Sequence, residues 1–183
     1  NSKYIVIGAQ NPPLINNRAM GNAWFVDSVE WVGSNLSEIS ALSQTDLSVT
    51  AVVSEEFRGV AETNRVADAP AFEDQIRLVS YSPNKLLYEC TTSSDRVAVF
   101  SEIWYPAGWI ANIDGVPVEI FRANYTLRAL KVPAGSKTIE FEFRPDSFYK
   151  GAMYSRIASA LLLFLLAAGV GIDIFRRGRG RRP

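Results

Sequence analysis

The feature that most constrains this chain is an apolar segment near its C-terminus, which reads IASALLLFLLAAGVGIDI from Ile157 to Ile174. Extended to residues 153–175 and coiled as a helix at about 1.5 Å per residue, it is long enough to cross a hydrocarbon layer of roughly 30 Å. A buried core helix would keep a polar stripe, and no polar residue interrupts Ala160 to Val170. The sequence therefore predicts a transmembrane helix over residues 153–175, with the lipid bilayer as its partner.

Charged residues on the two sides of the span predict its orientation. Five arginines follow it within residues 176–183, with no acid among them. Before it, Lys150 and Arg156 are the nearby bases, and Asp146 lies close to them. Because short basic flanks stay in the cytoplasm, the tail at 176–183 is predicted to be cytoplasmic. The main domain, residues 1–152, is then predicted to be extracytoplasmic.

Composition excludes several function classes. The formal net charge is zero, but without Arg156, the tail arginines and Asp173 the outer domain keeps 13 bases against 18 acids. This acidic balance argues against nucleic acid as a partner, because nucleic-acid binding calls for a basic face. The chain has no histidine, which removes Ser-His-Asp and Cys-His catalysis and histidine-containing zinc sites. The sequence predicts no cofactor, no metal site and no catalytic residue, and a lone Cys90 buried in a strand.

Short apolar runs separated by turn residues predict a mainly β domain from Gln75 onward. The predicted strands are 77–81, 86–91, 97–104, 109–113, 116–121, 125–132 and 137–144. Asp114-Gly115 is a strong signal for a β-hairpin, and antiparallel strands at this spacing are typical of a β-sandwich or jelly roll. The sequence therefore predicts an antiparallel, sandwich-like or jelly-roll-like extracytoplasmic domain over residues 75–152.

The first 53 residues predict a small α/β part. Strands are expected at 4–7, 23–26 and 50–53, and a helix is expected over 36–43. Leu36, Ile39 and Leu42 recur there at helical spacing. Residues 54–74 are acidic and poor in large apolar groups, which indicates a linker or a surface excursion between the α/β part and the sandwich.

One cluster within the sandwich is a candidate ligand site. Its members combine aromatic faces with guanidinium and amide donors, the groups that sugar rings bind: Trp104, Tyr105, Trp109, Arg122, Asn124 and Tyr125. The Asp114-Gly115 hairpin is expected to bring both stretches to one end of the sheet. The alternative is that these large residues fill the sandwich or lie at the membrane interface.

Glu102 interrupts a strand that is otherwise apolar. A buried carboxylate needs a partner, and Arg122 or Arg128 could supply it. A structural salt bridge and a catalytic acid both stay open for this residue. Asp114 is interpreted as a turn residue of the hairpin.

Three stretches resemble a known family. NSKYIVI, GNAWFVDSVEWV and the run from Phe100 to Gly151 before the terminal span resemble the C-terminal end of YfhO-type bacterial membrane proteins. The resemblance implies a polytopic protein related to GT-C-type, lipid-linked-sugar glycosyltransferases that modify cell-envelope polymers. In such proteins the catalytic carboxylates are expected between early membrane helices, so no catalytic residue carries over to this chain.

The chain is therefore expected to be the end of a longer protein that starts upstream of Asn1. Two functions stay open. The first is the non-catalytic outer domain and last span of a glycosyltransferase, with upstream transmembrane helices and a glycan or lipid-linked sugar as partners. The second is a non-enzymatic carbohydrate-binding or scaffolding module of the envelope.

Overall fold

The computed structural model of the chain describes residues 3–8, 10–62 and 74–179, and their side chains as far as Ile172. The chain forms two compact units, Asn1–Phe143 and Arg144–Pro183. The first contains, in order, β1 (Tyr4–Ile5), β2 (Leu14–Ile15), β3 (Ala23–Val26), β4 (Ser28–Val32), α1 (Asn35–Leu42), β5 (Thr50–Ser54), a 3₁₀ turn (Glu55–Phe57), α2 (Arg58–Ala61), β6 (Gln75–Ser82), β7 (Lys85–Thr91), β8 (Arg96–Ile103), β9 (Trp109–Ile113), β10 (Val116–Val118), β11 (Phe121–Ala123), β12 (Leu127–Val132) and β13 (Thr138–Phe143).

Two antiparallel sheets pack face to face in the first unit. Within the described residues, one sheet has the strand order β10-β9-β13-β7-β6 and the other β11-β12-β8-β3. Their facing sides share one core, in which the ring centroid of Phe100 lies 5.0 Å from that of Tyr88 and 4.8 Å from that of Phe141. The predicted mainly antiparallel, sandwich-like fold is confirmed. Cys90 is buried in the same core, as predicted.

The four-stranded sheet is buried on its second face as well. There Val97 and Val99 of β8 and Phe121 of β11 pack against Ala51 and Val53 of β5. β4 and β5 are parallel and are connected through α1, which confirms the small α/β part. β3 also comes from the first 53 residues, but it pairs with β8 in the four-stranded sheet. Because β8 is buried on both of its faces, apolar residues occupy successive positions along it.

Helix α1 forms close to its predicted bounds but buries a different face. Its N-cap is Ser34, whose side chain accepts a hydrogen bond from the backbone N–H of Ser37. Leu36 and Ile39, two of the residues whose spacing predicted the helix, are 77% and 48% exposed. The buried residues are Glu38 and Ala41. The apolar spacing thus locates the helix but not its packing face, because a charged partner draws Glu38 inward.

The single strand predicted over 116–121 is wrong. β10 pairs with β9 in the five-stranded sheet, whereas β11 pairs with β12 in the four-stranded sheet. The chain therefore crosses between the sheets at residues 119–120. Pro117 lies in β10 at the edge of its sheet, where the missing N–H of proline is tolerated. Phe121, one step past the crossing, is fully buried on the second face of the four-stranded sheet.

The second unit is the helix α3 (Asp146–Arg179). Its part Asp146–Ile172 is 27 residues long and is apolar enough to cross a membrane, and it measures about 40 Å. Leu161 to Leu166 are all more than half exposed, and lipid or other helices are the surroundings that such a surface needs. The helix begins before the predicted residue 153. The side chains of the predicted tail at 176–183 lie outside the described part of the chain.

Candidate functional site

Three of the six candidate residues line one open cleft. Trp104, Tyr105 and Trp109 border a cavity of about 550 Å³. The rest of its lining comes from Pro106, from β9, from β10 and the crossing that follows it, and from Phe57. We call this cavity the aromatic cleft. The loop after β8 supplies its first wall, and β9 with the crossing supplies the second.

Trp109 is a supported platform rather than a loose side chain. The guanidinium of Arg128 lies 4.1 Å from the centre of the Trp109 ring, and the ring of Phe143 lies 5.2 Å away. Arg128 is itself buried, and its Nη2 donates to the carbonyl oxygen of Ile103 at 3.2 Å. The contacts with Arg128 and Phe143 hold the Trp109 ring in place, and Trp109 stays half-buried at the cleft.

Trp104 and Tyr105 line the cleft from the loop after β8. The Trp104 backbone N–H donates to the carbonyl oxygen of Thr126 at 2.8 Å, and its ring meets Phe57 edge to face at 5.8 Å. Tyr105 is 56% exposed. Gly108 has φ 95°, a conformation that a residue with a Cβ rarely adopts. This turn returns the chain to β9 and leaves the Tyr105 ring open to solvent.

Two polar residues line the cleft. Asn112 on β9 is half-buried, and Glu119 at the crossing is exposed. Amide and carboxylate groups beside aromatic faces can hydrogen-bond the hydroxyls of a sugar whose C–H face stacks on a ring. Among the described residues, no group of three or more histidine, cysteine or acidic side chains could hold a metal ion.

The predicted Asp114-Gly115 hairpin is confirmed and supports one side of the cleft. Ile113 pairs with Val116, and the two central residues have φ 49° and 81°, as a type I′ turn requires. The Asp114 carboxylate accepts hydrogen bonds from the N–H and hydroxyl of Thr138 at 2.8 and 2.9 Å. Desolvation raises the pKa of Asp114, but hydrogen bonds from Thr138 and Lys137 outweigh it and hold that pKa below its usual value.

The other three candidate residues, Arg122, Asn124 and Tyr125, face α1 and β5. The Asn124 N–H donates to the carbonyl oxygen of Val52 at 2.8 Å, and Asn124 Oδ1 accepts from the Val52 N–H at 2.9 Å. The Tyr125 N–H donates to Oε1 of Glu38 at 2.9 Å. Nη2 of Arg122 lies 3.1 Å from the other Glu38 oxygen. We call Glu38, Arg122, Asn124 and Tyr125 the Glu38 clamp.

The clamp holds strained backbone. Asn124 and Tyr125 have φ 49° and 68°, and left-handed conformations of this kind cost about 1–3 kcal/mol each outside glycine. Arg122 Nη1 donates to the Tyr125 carbonyl oxygen at 3.1 Å, so both peptide groups of the turn are held. Glu38 is fully buried. The clamp therefore docks the α/β part onto the four-stranded sheet.

The candidate residues of the aromatic cleft and those of the Glu38 clamp lie next to each other but have different contacts. Trp104 is hydrogen-bonded to Thr126, the residue after Tyr125, so both stretches lie at one end of the four-stranded sheet. The pairing of β8 with β12 brings them there, and not the Asp114-Gly115 hairpin, whose second strand stays in the other sheet. Sequence reasoning missed Glu38, the centre of the clamp, and Phe57, which borders the cleft. No local signal marks Glu38, because its partners come from β11 and the turn after it.

Glu102 is half-buried near the cleft. Of its two predicted partners, Arg122 is paired with Glu38 and Glu56, whereas the charge of Glu102 acts on Arg128. Burial lowers the pKa of the Arg128 guanidinium, and the attraction of Glu102 opposes that effect. Burial likewise raises the pKa of the Tyr88 hydroxyl, and Glu102 adds to the rise. Arg128 donates its hydrogen bond to the carbonyl oxygen of Ile103 rather than to Glu102, so both interpretations of Glu102 stay predictions.

Comparison with known proteins identifies the family. No curated protein and no solved structure matches the chain. A family model described as "Bacterial membrane protein YfhO" matches residues 60–155, just over half of the 183-residue chain. The matched part runs from α2 through the sandwich strands β6–β13 into α3, and it includes the aromatic cleft except for Phe57. This chain, with its β-sandwich and its apolar terminal helix, belongs to the YfhO family of bacterial membrane proteins.

Proposed function

We propose that this chain is the extracytoplasmic C-terminal domain and last span of a polytopic membrane protein. In this proposal it is the non-catalytic part of a lipid-linked-sugar glycosyltransferase that acts on cell-envelope polymers. The aromatic cleft holds a saccharide, either the acceptor glycan or the sugar of the lipid-linked donor. The site residues are Trp104, Tyr105 and Trp109, and Arg122, Asn124 and Tyr125 support the neighbouring turn.

The cleft is the observation that carries this proposal. Its volume of about 550 Å³ lies in the range of roughly 300–1,000 Å³ that small-molecule sites have. Trp109 offers a ring already fixed by Arg128 at 4.1 Å, so little side-chain entropy is lost when a sugar stacks on it. Asn112 and Glu119 supply the polar groups at its rim.

The charges around α3 support the proposed placement outside the cell. The five arginines of the tail come after the span and favour a cytoplasmic C-terminus. A reporter that works only in the cytoplasm should therefore be active when it is fused after Pro183. A reporter that works only outside should be active when it is inserted within residues 63–73. The reverse pattern would contradict both the orientation and the envelope function.

The binding proposal is tested by replacing an exposed tyrosine of the cleft. Tyr105→Ala should lower the glycosylation of the envelope polymer in cells, because it removes a stacking face. It should leave the melting temperature unchanged, because Tyr105 is 56% exposed. Tyr81→Ala is the matched control, since Tyr81 is 66% exposed and lies on β6, at the opposite edge of the sheet from β10.

The same variants separate the two candidate functions. Reduced glycosylation for Tyr105→Ala, with Tyr81→Ala unchanged, supports a part of a transferase. Reduced binding of envelope glycans by the purified protein with normal glycosylation in cells supports a non-enzymatic carbohydrate-binding module. Normal binding and normal glycosylation at wild-type protein levels would contradict a saccharide site in the cleft.

A further inference from the structure

The ribbon formed by β1 and β2 exposes apolar side chains on both of its faces. Tyr4 pairs with Ile15, and Ile5 pairs with Leu14. Because successive residues of a strand point to opposite faces, one face carries Tyr4 and Ile15 and the other carries Ile5 and Leu14. All four are between 48% and 64% exposed. Val6, the next residue, is 71% exposed.

Such a ribbon needs a covering on both sides. Among the strands that the structure describes, β1 and β2 pair only with each other, and an isolated two-stranded ribbon is marginally stable in water at best. Docking onto a flat protein surface would cover one apolar face and leave the other in water. A lipid interface surrounds an inserted ribbon and covers both faces at once. The two-sided pattern therefore favours lipid over a protein partner.

The unpaired backbone groups at the edges of the ribbon limit how deep it can lie in the bilayer. Each outer edge carries backbone N–H and C=O groups that hydrocarbon cannot satisfy, and open strand edges do not occur at the centre of a bilayer. Water and headgroups can satisfy them at the interface. Tyrosine, here Tyr4, is a residue that collects at that level. The ribbon thus fits the headgroup region and not the hydrocarbon centre.

The charges of the N-terminal segment also favour lipid as the partner, by a separate argument. The first 26 residues contain two bases, Lys3 and Arg18, and no acid. Every acid of the outer domain lies between Asp27 and Asp146. Anionic headgroups attract a basic segment and repel an acidic one. An anionic lipid surface would therefore select this ribbon from the otherwise acidic domain.

We propose that the β1–β2 ribbon is a membrane contact that inserts into the headgroup region and binds anionic lipid. Lys3 and Arg18 meet the headgroups, while Tyr4, Ile5, Leu14 and Ile15 enter the boundary with the acyl chains. The terminal helix is the anchor of the chain, and the ribbon is a second, reversible contact. This contact does not depend on a saccharide in the aromatic cleft.

The test uses the full chain with its terminal helix in vesicles of phosphatidylglycerol and phosphatidylcholine in equal amounts. Ile15→Cys is labelled with a fluorescent maleimide. The native Cys90 is buried, and burial raises the pKa of its thiol to about 11, so the new cysteine reacts selectively. Val116→Cys is the control, because Val116 is 63% exposed on a different hairpin.

The label at position 15 should lose emission to lipids that carry a quencher near the headgroup, and iodide in the water should quench it little. The label at position 116 should show the opposite pattern. Lys3→Glu combined with Arg18→Glu should reduce the lipid quenching at position 15.

Four other results would overturn the proposal. Equal quenching of both positions by iodide would mean that the ribbon lies in water. Protection from both quenchers would mean that a protein surface, such as a second copy, covers it. Stronger quenching from the ends of the acyl chains would place the ribbon too deep. An unchanged lipid quenching in the charge-reversed variant would remove the role of anionic lipid.

Discussion

The aromatic cleft and the Glu38 clamp are built from similar residues but have opposite surroundings. Tyr105 of the cleft is 56% exposed, whereas Tyr125 of the clamp is tied through its backbone to a buried carboxylate. Each region also has an arginine beside an aromatic ring: Arg128 lies over Trp109 and Arg122 over Tyr125. The polar groups of the clamp bond to the protein itself, whereas Tyr105 in the cleft stays open to solvent. Residue type alone therefore does not distinguish the two regions, and the number of internal partners does.

The largest effect is expected for the centre of the clamp. Glu38→Ala removes the carboxylate that pairs with Arg122 and accepts the Tyr125 N–H. Removal of one partner from a buried ion pair costs about 3–5 kcal/mol, and we expect a loss of that size in the free energy of unfolding measured with urea. The loss reflects an uncompensated guanidinium and a strained turn that has lost its hydrogen bond.

Glu56→Ala is the matched control for that variant. Glu56 also lies near Arg122, at 3.5 Å, but its side chain is 62% exposed. Exposed ion pairs contribute about 0–1 kcal/mol, so Glu56→Ala should be nearly neutral. If both variants destabilise equally, burial of the Glu38 carboxylate is not what holds the clamp together.

The next largest effect is expected for Trp109, where packing and the proposed saccharide binding are least separable. Trp109→Ala removes a half-buried ring that contacts Arg128 and Phe143. Full truncation of a buried Trp costs about 3–5 kcal/mol, and the open side of this ring lowers the expected cost to about 2–3 kcal/mol. Saccharide binding should be lost as well. Trp109→Phe, which keeps a ring over Arg128, should recover most of the stability in the same urea titration.

Much of the fold follows from local patterns in the sequence. Alternating residues in β13, the Asp-Gly turn at 114–115 and the apolar segment of α3 each specify a structure with neighbours close in the chain. Apart from the strand predicted over 116–121, the described sandwich strands lie near their predicted bounds for this reason. Cys90 is buried in its strand, and the helix over α1 exists where its spacing indicates.

The features that the sequence did not predict depend on contacts between residues that lie far apart in the chain. Glu38 is buried because Arg122 and the turn at Tyr125 reach it from another part of the chain. The crossing at 119–120 depends on Phe121 finding the second face of the other sheet. The six aromatic and polar residues were predicted as one cluster because composition does not reveal which polar groups already have partners.

A smaller effect is expected for Tyr125, which tests whether the clamp also binds ligand. Tyr125→Ala removes a ring 5.5 Å from the Arg122 guanidinium, a contact worth about 0.5–1 kcal/mol. Tyr125→Gly removes the same ring but relaxes a backbone at φ 68°, so it should destabilise less than Tyr125→Ala. Neither variant should lower envelope glycosylation once protein levels are matched. A loss like that of Tyr105→Ala would join the two regions into one site.

The smallest effect is expected for Asp114, which fixes the hairpin beside the cleft through hydrogen bonds near the surface. Its folded-state pKa lies below the ordinary value of 3.8, despite an opposing desolvation effect, because Thr138 and Lys137 donate to the ionised carboxylate. A lowered pKa means that the stabilisation is fully present above the unfolded-state pKa and is lost as the pH falls through the folded-state pKa.

Asp114→Asn should therefore melt at a slightly lower temperature than the wild type near neutral pH, and the difference should shrink below about pH 3.8. Asp146→Asn is the control, because Asp146 pairs with Lys150 on α3, outside the sandwich unit, and it should not change the pH profile of sandwich unfolding. A difference that stays constant into acid would mean that the Asp114 charge contributes nothing. The hairpin would then be stabilised by the type I′ turn and the β9–β13 pairing alone. The shape of this side of the cleft would not change with pH.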